Sequence, residues 1–468
     1  MWLPRVAARA VPAMLYSKQM WLTTAGMFVA GLALFTSTSL ANIFFVDAQR
    51  GNNANDGTAH APWQTIQKAA DSAQPGDTVL VAKGDYPERI HVTRSGAPDR
   101  PITFQANGRV VTQGFTITAD YIRVVGFEIT NHITLFRESY GVYLHGQHDE
   151  ILNNYLHDLY HDGIIVTGER DPNSPSVAHN IVKGNRIERA QNSGIHVEGR
   201  ENLIEGNEVA HTIQYPPGAP AWDGADADGL RFFGTGHIFR GNRVHDIVFS
   251  DLGNLDPHVD CFQSWGPATY ITFEQNVCDI DPPAHGGDDE VAMIENSSGP
   301  VHHLIFRNNI FMDLGAGILV AARTGESITF LEVLNNTFYR INAPGVLLLA
   351  GATHATIENN AFYDVGNHRE SYLLVRADSQ EGLVVGYNLQ SMSDGRPPGK
   401  AGSEAPYPHD LWGVAPQFVN AAGKDLRLTP TSPLVGRGIA LQEVSTDFAG
   451  VARPQGAGYD IGAYEHQH

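Results

Sequence analysis

Three short stretches of this 468-residue chain set acidic residues ahead of the same kind of strand-forming run. Asp226 and Asp228 precede Gly229-Leu230-Arg231-Phe232, His258 and Asp260 precede Cys261-Phe262-Gln263, and Asp288 and Glu290 precede Val291-Ala292-Met293. If the three runs stack, Asp228, Asp260 and Glu290 form one column with neighbouring charges roughly 5 Å apart. At an effective dielectric near 20 their repulsion is about 3 kcal/mol per pair. Such a column requires a protonated member, a bound cation or a nearby positive group. Two carboxyls held this way suit glycosidic hydrolysis, in which one protonates the departing oxygen and the other attacks or activates water. Asp228 with Asp260 matches the closer separation of retaining chemistry, and Asp228 with Glu290 the wider one of inversion. Crowding also raises a carboxyl pKa, as the acid requires.

Alternate side chains of a strand point outward. Leu230, Phe232, Phe262, Ala292 and Ile294 therefore fill an interior, while His196, Arg231, Gln263 and Met293 form one outward column. Glu198, Phe233, Trp265 and Glu295 form the next. These outward groups are candidates for substrate binding, with Phe233 and Trp265 as stacking platforms for sugar rings, or alternatively packed beneath a loop. Asp226, His258 and Asp288 form a second ring, in which His258 tunes or replaces one carboxyl, or is simply solvated. Asp162 falls in the acidic column but, standing before Gly163 and far from the long inserts, reads as a turn residue.

The elements that must position these groups are repeats. GIHVEGRENLIEGNEV (194–209), GLRFFGTGHIFRGNRV (229–244) and CFQSWGPATYITFEQNVC (261–278) each give a short strand, a turn, a second short strand and an Asn before a third. The recurring asparagines are Asn154, Asn185, Asn207, Asn242, Asn276, Asn309, Asn336 and Asn360. Short alternating strands without crossover helices suit a solenoid in which each turn pairs in parallel with the next. Asparagine at one corner is expected to adopt left-handed backbone and bond its stacked neighbours. Residues 62–73, with Ile66, Ala69, Ala70 and Ala73 on one face, form a short amphipathic helix that caps the first coil. The longest inserts, 211–227, 247–259 and 279–289, all lead into the acidic column, which places a cleft there.

The copies resemble the repeats of right-handed parallel β-helix proteins of the pectate-lyase-like superfamily. The opening FFVDAQRGNNANDGTAHAPWQTIQKAADSAQPGDTVLVAKGDYPERI and the closing TDFAGVARPQGAGYDIGAYE resemble the terminal segments of its secreted members. The resemblance implies an all-β, single-stranded right-handed β-helix over residues 42–468, with coils at about 77–390 and a C-terminal segment at about 410–466. Its chemistry stays open, since the group includes hydrolases, lyases, epimerases and non-catalytic binders. A lyase or C5-epimerase acting on a uronic acid polymer would need a base, Arg231 or an imidazole, with Ca²⁺ at Asp228, Asp260 and Glu290. Lysine is the base in several lyase families of this fold, and Lys183 is the one lysine between residues 84 and 399. Hydrolysis, which requires no cofactor, is the favoured reading.

Residues 1–41 read as an export signal: Arg5, Arg9 and Lys18, an apolar run over 21–35, and Ser39-Leu40-Ala41. The run falls short of the roughly 20 residues of a membrane span. A secreted or periplasmic protein is expected, acting as a monomer on a polysaccharide or oligosaccharide, with no membrane contact beyond that signal. A net charge of −20 makes nucleic acid an unlikely partner. Cys261 and Cys278 cannot form a four-ligand zinc site; they are either one disulfide or two buried thiols.

Overall fold

The computed structural model describes residues 41–135, 138–169, 171–213, 226–247, 258–280, 289–366, 371–396, 398 and 406–467. Residues 1–40 of the expected export signal, most of the three inserts and Asp288 lie outside the described residues. Among the described residues, 35 strands join in one sheet whose pairings are parallel, and no helix is long and apolar enough to cross a membrane. This is the all-β solenoid that the repeats dictate. Short alternating segments bury their inward residues on every coil; Leu230, Phe232, Phe262, Ala292 and Ile294 are all at most 1% exposed. Along the axis Phe239, Phe273 and Phe306 stack, with ring centroids 5.0 and 4.3 Å apart.

The asparagine row is continuous. The side-chain amide of Asn207 donates to Oδ1 of Asn242 at 3.0 Å, Asn242 to Asn276 at 3.0 Å, and Asn276 to Asn309 at 3.0 Å. The row runs on to Asn388, whose backbone N–H meets Oδ1 of Asp410 at 2.8 Å. The expectation that these asparagines are themselves left-handed is corrected. The left-handed residue is the one before, such as Asn153, Gly184 and Gln275 with φ of 54°, 66° and 58°. The corner thus turns on one residue and is bonded by the next.

A helix over Ile66–Ser72, shorter than the 62–73 expected, closes the first coil with Ile66, Ala69 and Ala70 buried. Thr65 caps it, and Glu88 accepts the free N–H groups of Ile66 and Gln67 at 2.7 and 3.0 Å. Near the other end the C-terminal segment forms an antiparallel pair, Phe418–Asn420 with Asp425–Leu428. Its Leu426 and Ala463 cover the outward Ile310, Met312 and Tyr339.

Candidate active site

The face with the acidic column is built from the strands Asn192–Val197, Ala227–Phe232, Val259–Ser264, Asp289–Glu295 and Ala316–Ala321. Their register sets Ser193 opposite Asp228, Asp260 opposite Glu290 and Glu290 opposite Ala316. Leu230 opposite Phe262 places Asp228 beside Asp260, and Oδ1 of Asp228 accepts the Asp260 backbone N–H at 3.0 Å. The stacking expected from the repeats therefore holds.

The residue after each acid explains the Gly in Asp-Gly. A Cβ on Gly194 would lie 2.3 Å from Val209 Cγ1, and one on Gly229 2.6 Å from Val244 Cγ1. Glycine at these positions faces a β-branched residue across the interior, with no room for a side chain. Cys261 follows Gly229 in this column, and Cys278 is in register with Val244. In that coil a disulfide spans the interior that glycine and valine share below it. The open alternative of two buried thiols is thereby decided in favour of the bridge.

Arg231 organises the N-terminal part of the column. Its Nε donates to Asp228 Oδ2 at 2.7 Å, its Nη2 to Asp226 Oδ2 at 2.7 Å and its Nη1 to Asn192 Oδ1 at 2.9 Å. Trp265 lies over the guanidinium, 5.4 Å from its carbon to the ring centroid. Although burial opposes it, the carboxylates of Asp228, Asp162 and Asp226 hold the Arg231 pKa above its ordinary value. It is held as a cation by these carboxylates. Asp228 has both oxygens engaged and is fully buried. Burial pushes its carboxyl up to about 7 even beside Arg231.

Asp260 is different. Gln263 Nε2 donates to its Oδ2 at 3.0 Å, while its Oδ1 has no donor although the residue is fully buried. Burial first, then the charges of Asp228 and Glu290 together with a hydrogen bond to the Glu290 carboxyl, drive its pKa well upward. A carboxyl-to-carboxyl contact is favourable only with a proton between them. Glu290 is 8% exposed, and His258, at the exposed edge, has its backbone N–H 3.3 Å from Asp226 Oδ1. His258, Asp260 and Glu290 each offer an atom within 4.8 Å of the others.

The remaining candidates divide. His196 Nε2 is 3.4 Å from Glu198 Oε1, and Glu198 also accepts from Thr167 Oγ1 and the Gly168 N–H, both at 2.7 Å. Phe233 is 3% exposed between His196 and Trp265, at 5.1 and 4.7 Å between centroids, so it packs and offers no ring to a sugar. Trp265 is half-buried, and Glu295 pairs with Arg323 at the surface, Nε to Oε1 2.7 Å. Asp162 reads as expected for a structural residue: Ser193 Oγ and Asn192 Nδ2 donate to it at 2.6 and 2.9 Å. Despite burial, His161, His196 and Arg231 pull its pKa down to about 2. Asn192, which links Asp162 to Arg231, was not singled out by its sequence; its one signal is its place directly before Ser193 in the column.

The family model described as "Pel9A-like, right handed beta helix region" matches residues 44–277, half of the chain. Pectate lyase PEL9 of Emericella nidulans is 25% identical over 225 residues, 47% of this chain and 51% of that protein. Lacto-N-biosidase of Bifidobacterium longum subsp. longum is 36% identical over 80 residues, 16% of this chain and 5% of that protein. The chain thus spans about half, or much less, of the length of these relatives. The crystal structure of pectate lyase Pel9A superposes with a TM-score of 0.50 at 18% identity, covering 92% of this chain and 97% of that one, and shares its fold.

Proposed function

The chain belongs to the Pel9A-like right-handed β-helix family, and from that membership and the geometry we propose that it is an exported carbohydrate-active enzyme cleaving glycosidic bonds by hydrolysis. The observation that carries the reading is the in-register pair Asp260 and Glu290, in which a fully buried carboxyl keeps one oxygen without a donor. One proton shared across this pair supplies an acid and a carboxylate at once. Gln263 holds Oδ2 of Asp260, leaving Oδ1 for the proton. Asp260 donates it to the departing glycosidic oxygen, and Glu290 attacks the anomeric carbon or activates water. Substrate meets both from the His258 side, the exposed edge of the set. Arg231 and Asp228 are positioning groups behind the pair.

A second reading, elimination from a uronic acid polymer, is favoured by the likeness to pectate lyase PEL9. Calcium, which related pectate lyases can use, takes about 6–8 oxygen ligands. With Asp228 engaged by Arg231, the donors left among the described residues are two carboxylates and the imidazole of His258, a set poor in oxygen that fits calcium badly. Among the described residues Arg231 is held charged and Lys183 is bound to Glu205 at 2.6 Å, so the base of an elimination would be the His258 imidazole.

The test is a panel of polysaccharides and oligosaccharides read for new reducing ends and for the ultraviolet absorbance of a new C=C bond, with and without chelator. Hydrolysis predicts reducing ends alone, unaffected by chelator. Absorbance that chelator abolishes would replace it with elimination. Binding without any turnover would leave a glycan-binding protein.

A further inference from the structure

The outward column that carries Arg231 and Gln263 changes character beyond Glu290. Gln263 is in register with Met293, Met293 with Leu319, Leu319 with Leu347 and Leu347 with Leu374. These four aliphatic side chains point away from the interior, are half-buried, and belong to no buried cluster among the described residues. They span three coil spacings, roughly 14 Å.

Other outward columns of the same solenoid are built differently. One is a charge ladder, with Lys183 on Glu205 at 2.6 Å, Glu205 on Arg240 at 3.6 Å and Glu274 on Arg307 at 2.6 Å. Another, Ile310, Met312 and Tyr339, is apolar, and the C-terminal segment covers it with Leu426 and Ala463. That outward apolar column is covered by a docked segment. A half-buried aliphatic strip continuing a polar site suits a ligand with an apolar part.

We propose that the Met293–Leu319–Leu347–Leu374 strip binds a hydrocarbon chain attached to the sugar, so that the substrate is an alkylated or acylated glycoconjugate rather than a wholly hydrophilic polysaccharide. The inference rests on the acidic pair being the reaction centre, because the strip starts at Met293, three residues after Glu290 on the same strand. The sugar occupies the polar side, towards His196 and Glu198, and the chain runs along the aliphatic side. Aliphatic side chains give no ring-stacking surface to a sugar, whereas they match a hydrocarbon in shape and polarity.

The experiment is calorimetric titration of the full chain with methyl, hexyl and octyl β-D-glucopyranosides below their micelle concentrations. Affinity is expected to rise about twofold per methylene, half the gain of complete burial, hence about fourfold from hexyl to octyl. In Leu347→Asp this dependence should flatten with the melting temperature kept within a few degrees. Affinity independent of chain length, or a dependence that Leu347→Asp leaves intact, would overturn the proposal. So would a melting-temperature loss in Leu347→Asp as large as that of the core variant Leu348→Asp, since a segment of the chain itself would then cover the strip. Reducing-end release from unsubstituted oligosaccharides is measured separately. Chain-dependent binding without turnover sinks only the hydrolytic reading, and turnover without chain dependence sinks only this one.

Discussion

Two stacks of like side chains run through the same coils, and they solve the same problem in opposite ways. In the asparagine row every side chain brings a donor and an acceptor, so Asn276 both receives from Asn242 and gives to Asn309 at 3.0 Å. In the acidic column every carboxylate brings acceptors alone. Its gaps are filled from outside: Ser193 and Asn192 serve Asp162, Arg231 serves Asp228, and at Asp260 one oxygen is left without a donor. Stacking in register rewards an amphoteric side chain and penalises an acceptor. Under the proposed hydrolysis, a penalty kept in one pair of coils, while the coil before it is neutralised, is where the chain would hold a proton for chemistry.

The comparison can be broken most severely from the satisfied side. Asn276→Asp should remove the donors to Asn309 Oδ1 and the Phe239 carbonyl and set a carboxylate against both, costing about 3–5 kcal/mol in urea unfolding. A loss below about 1 kcal/mol would mean the row contributes little. Arg231→Met should cost about 3 kcal/mol by leaving Asp226 and Asp228 without their cation. The loss should grow with pH as Asp228 ionises, and a loss independent of pH would show that Arg231 acts by packing.

Smaller effects sharpen the contrast. The pair Cys261→Gly and Cys278→Val restores the glycine and valine of the neighbouring coils, and should cost about 2 kcal/mol in melting experiments while the chain still folds. The column should also titrate in two directions. Asp162, held down to about 2, contributes stability that is full above its ordinary pKa near 4 and lost as pH falls towards 2. Asp162→Asn should remove that acid limb, worth about 2 kcal/mol. Asp228, raised to about 7, contributes stability present below 4 and lost as pH rises towards 7. Asp228→Asn should therefore flatten the decline between pH 4 and 7. A common sign for both residues would contradict the division of the column.

Much of this was legible in the sequence because a solenoid converts repeat alignment into spatial columns. Stacking of Asp228, Asp260 and Glu290, the interior set and the asparagine row all follow from lining up the copies. What alignment cannot convey is which neighbour consumes which charge. Arg231 and Gln263 share one outward column and each reaches back to its own acid, but Arg231 brings a cation to Asp228 and Asp226 whereas Gln263 brings Asp260 only an amide. Phe233 likewise sits in an outward position but is hidden between His196 and Trp265. The disulfide could be anticipated only by noticing that both cysteines take the places of a facing glycine and valine. The left-handed corner residue was displaced by one because Gly, Asn and Gln alternate there, leaving only the asparagine beside it constant.

The measurement closest to the central claim is Asp260→Asn, assayed together for turnover and for unfolding free energy at pH 8. The amide would replace the shared proton with permanent N–H donors, turning this pair of coils into a piece of asparagine row. The account predicts a protein about 1 kcal/mol more stable than the parent with glycoside cleavage reduced at least 100-fold. A variant that is less stable, or that keeps its turnover, would contradict it.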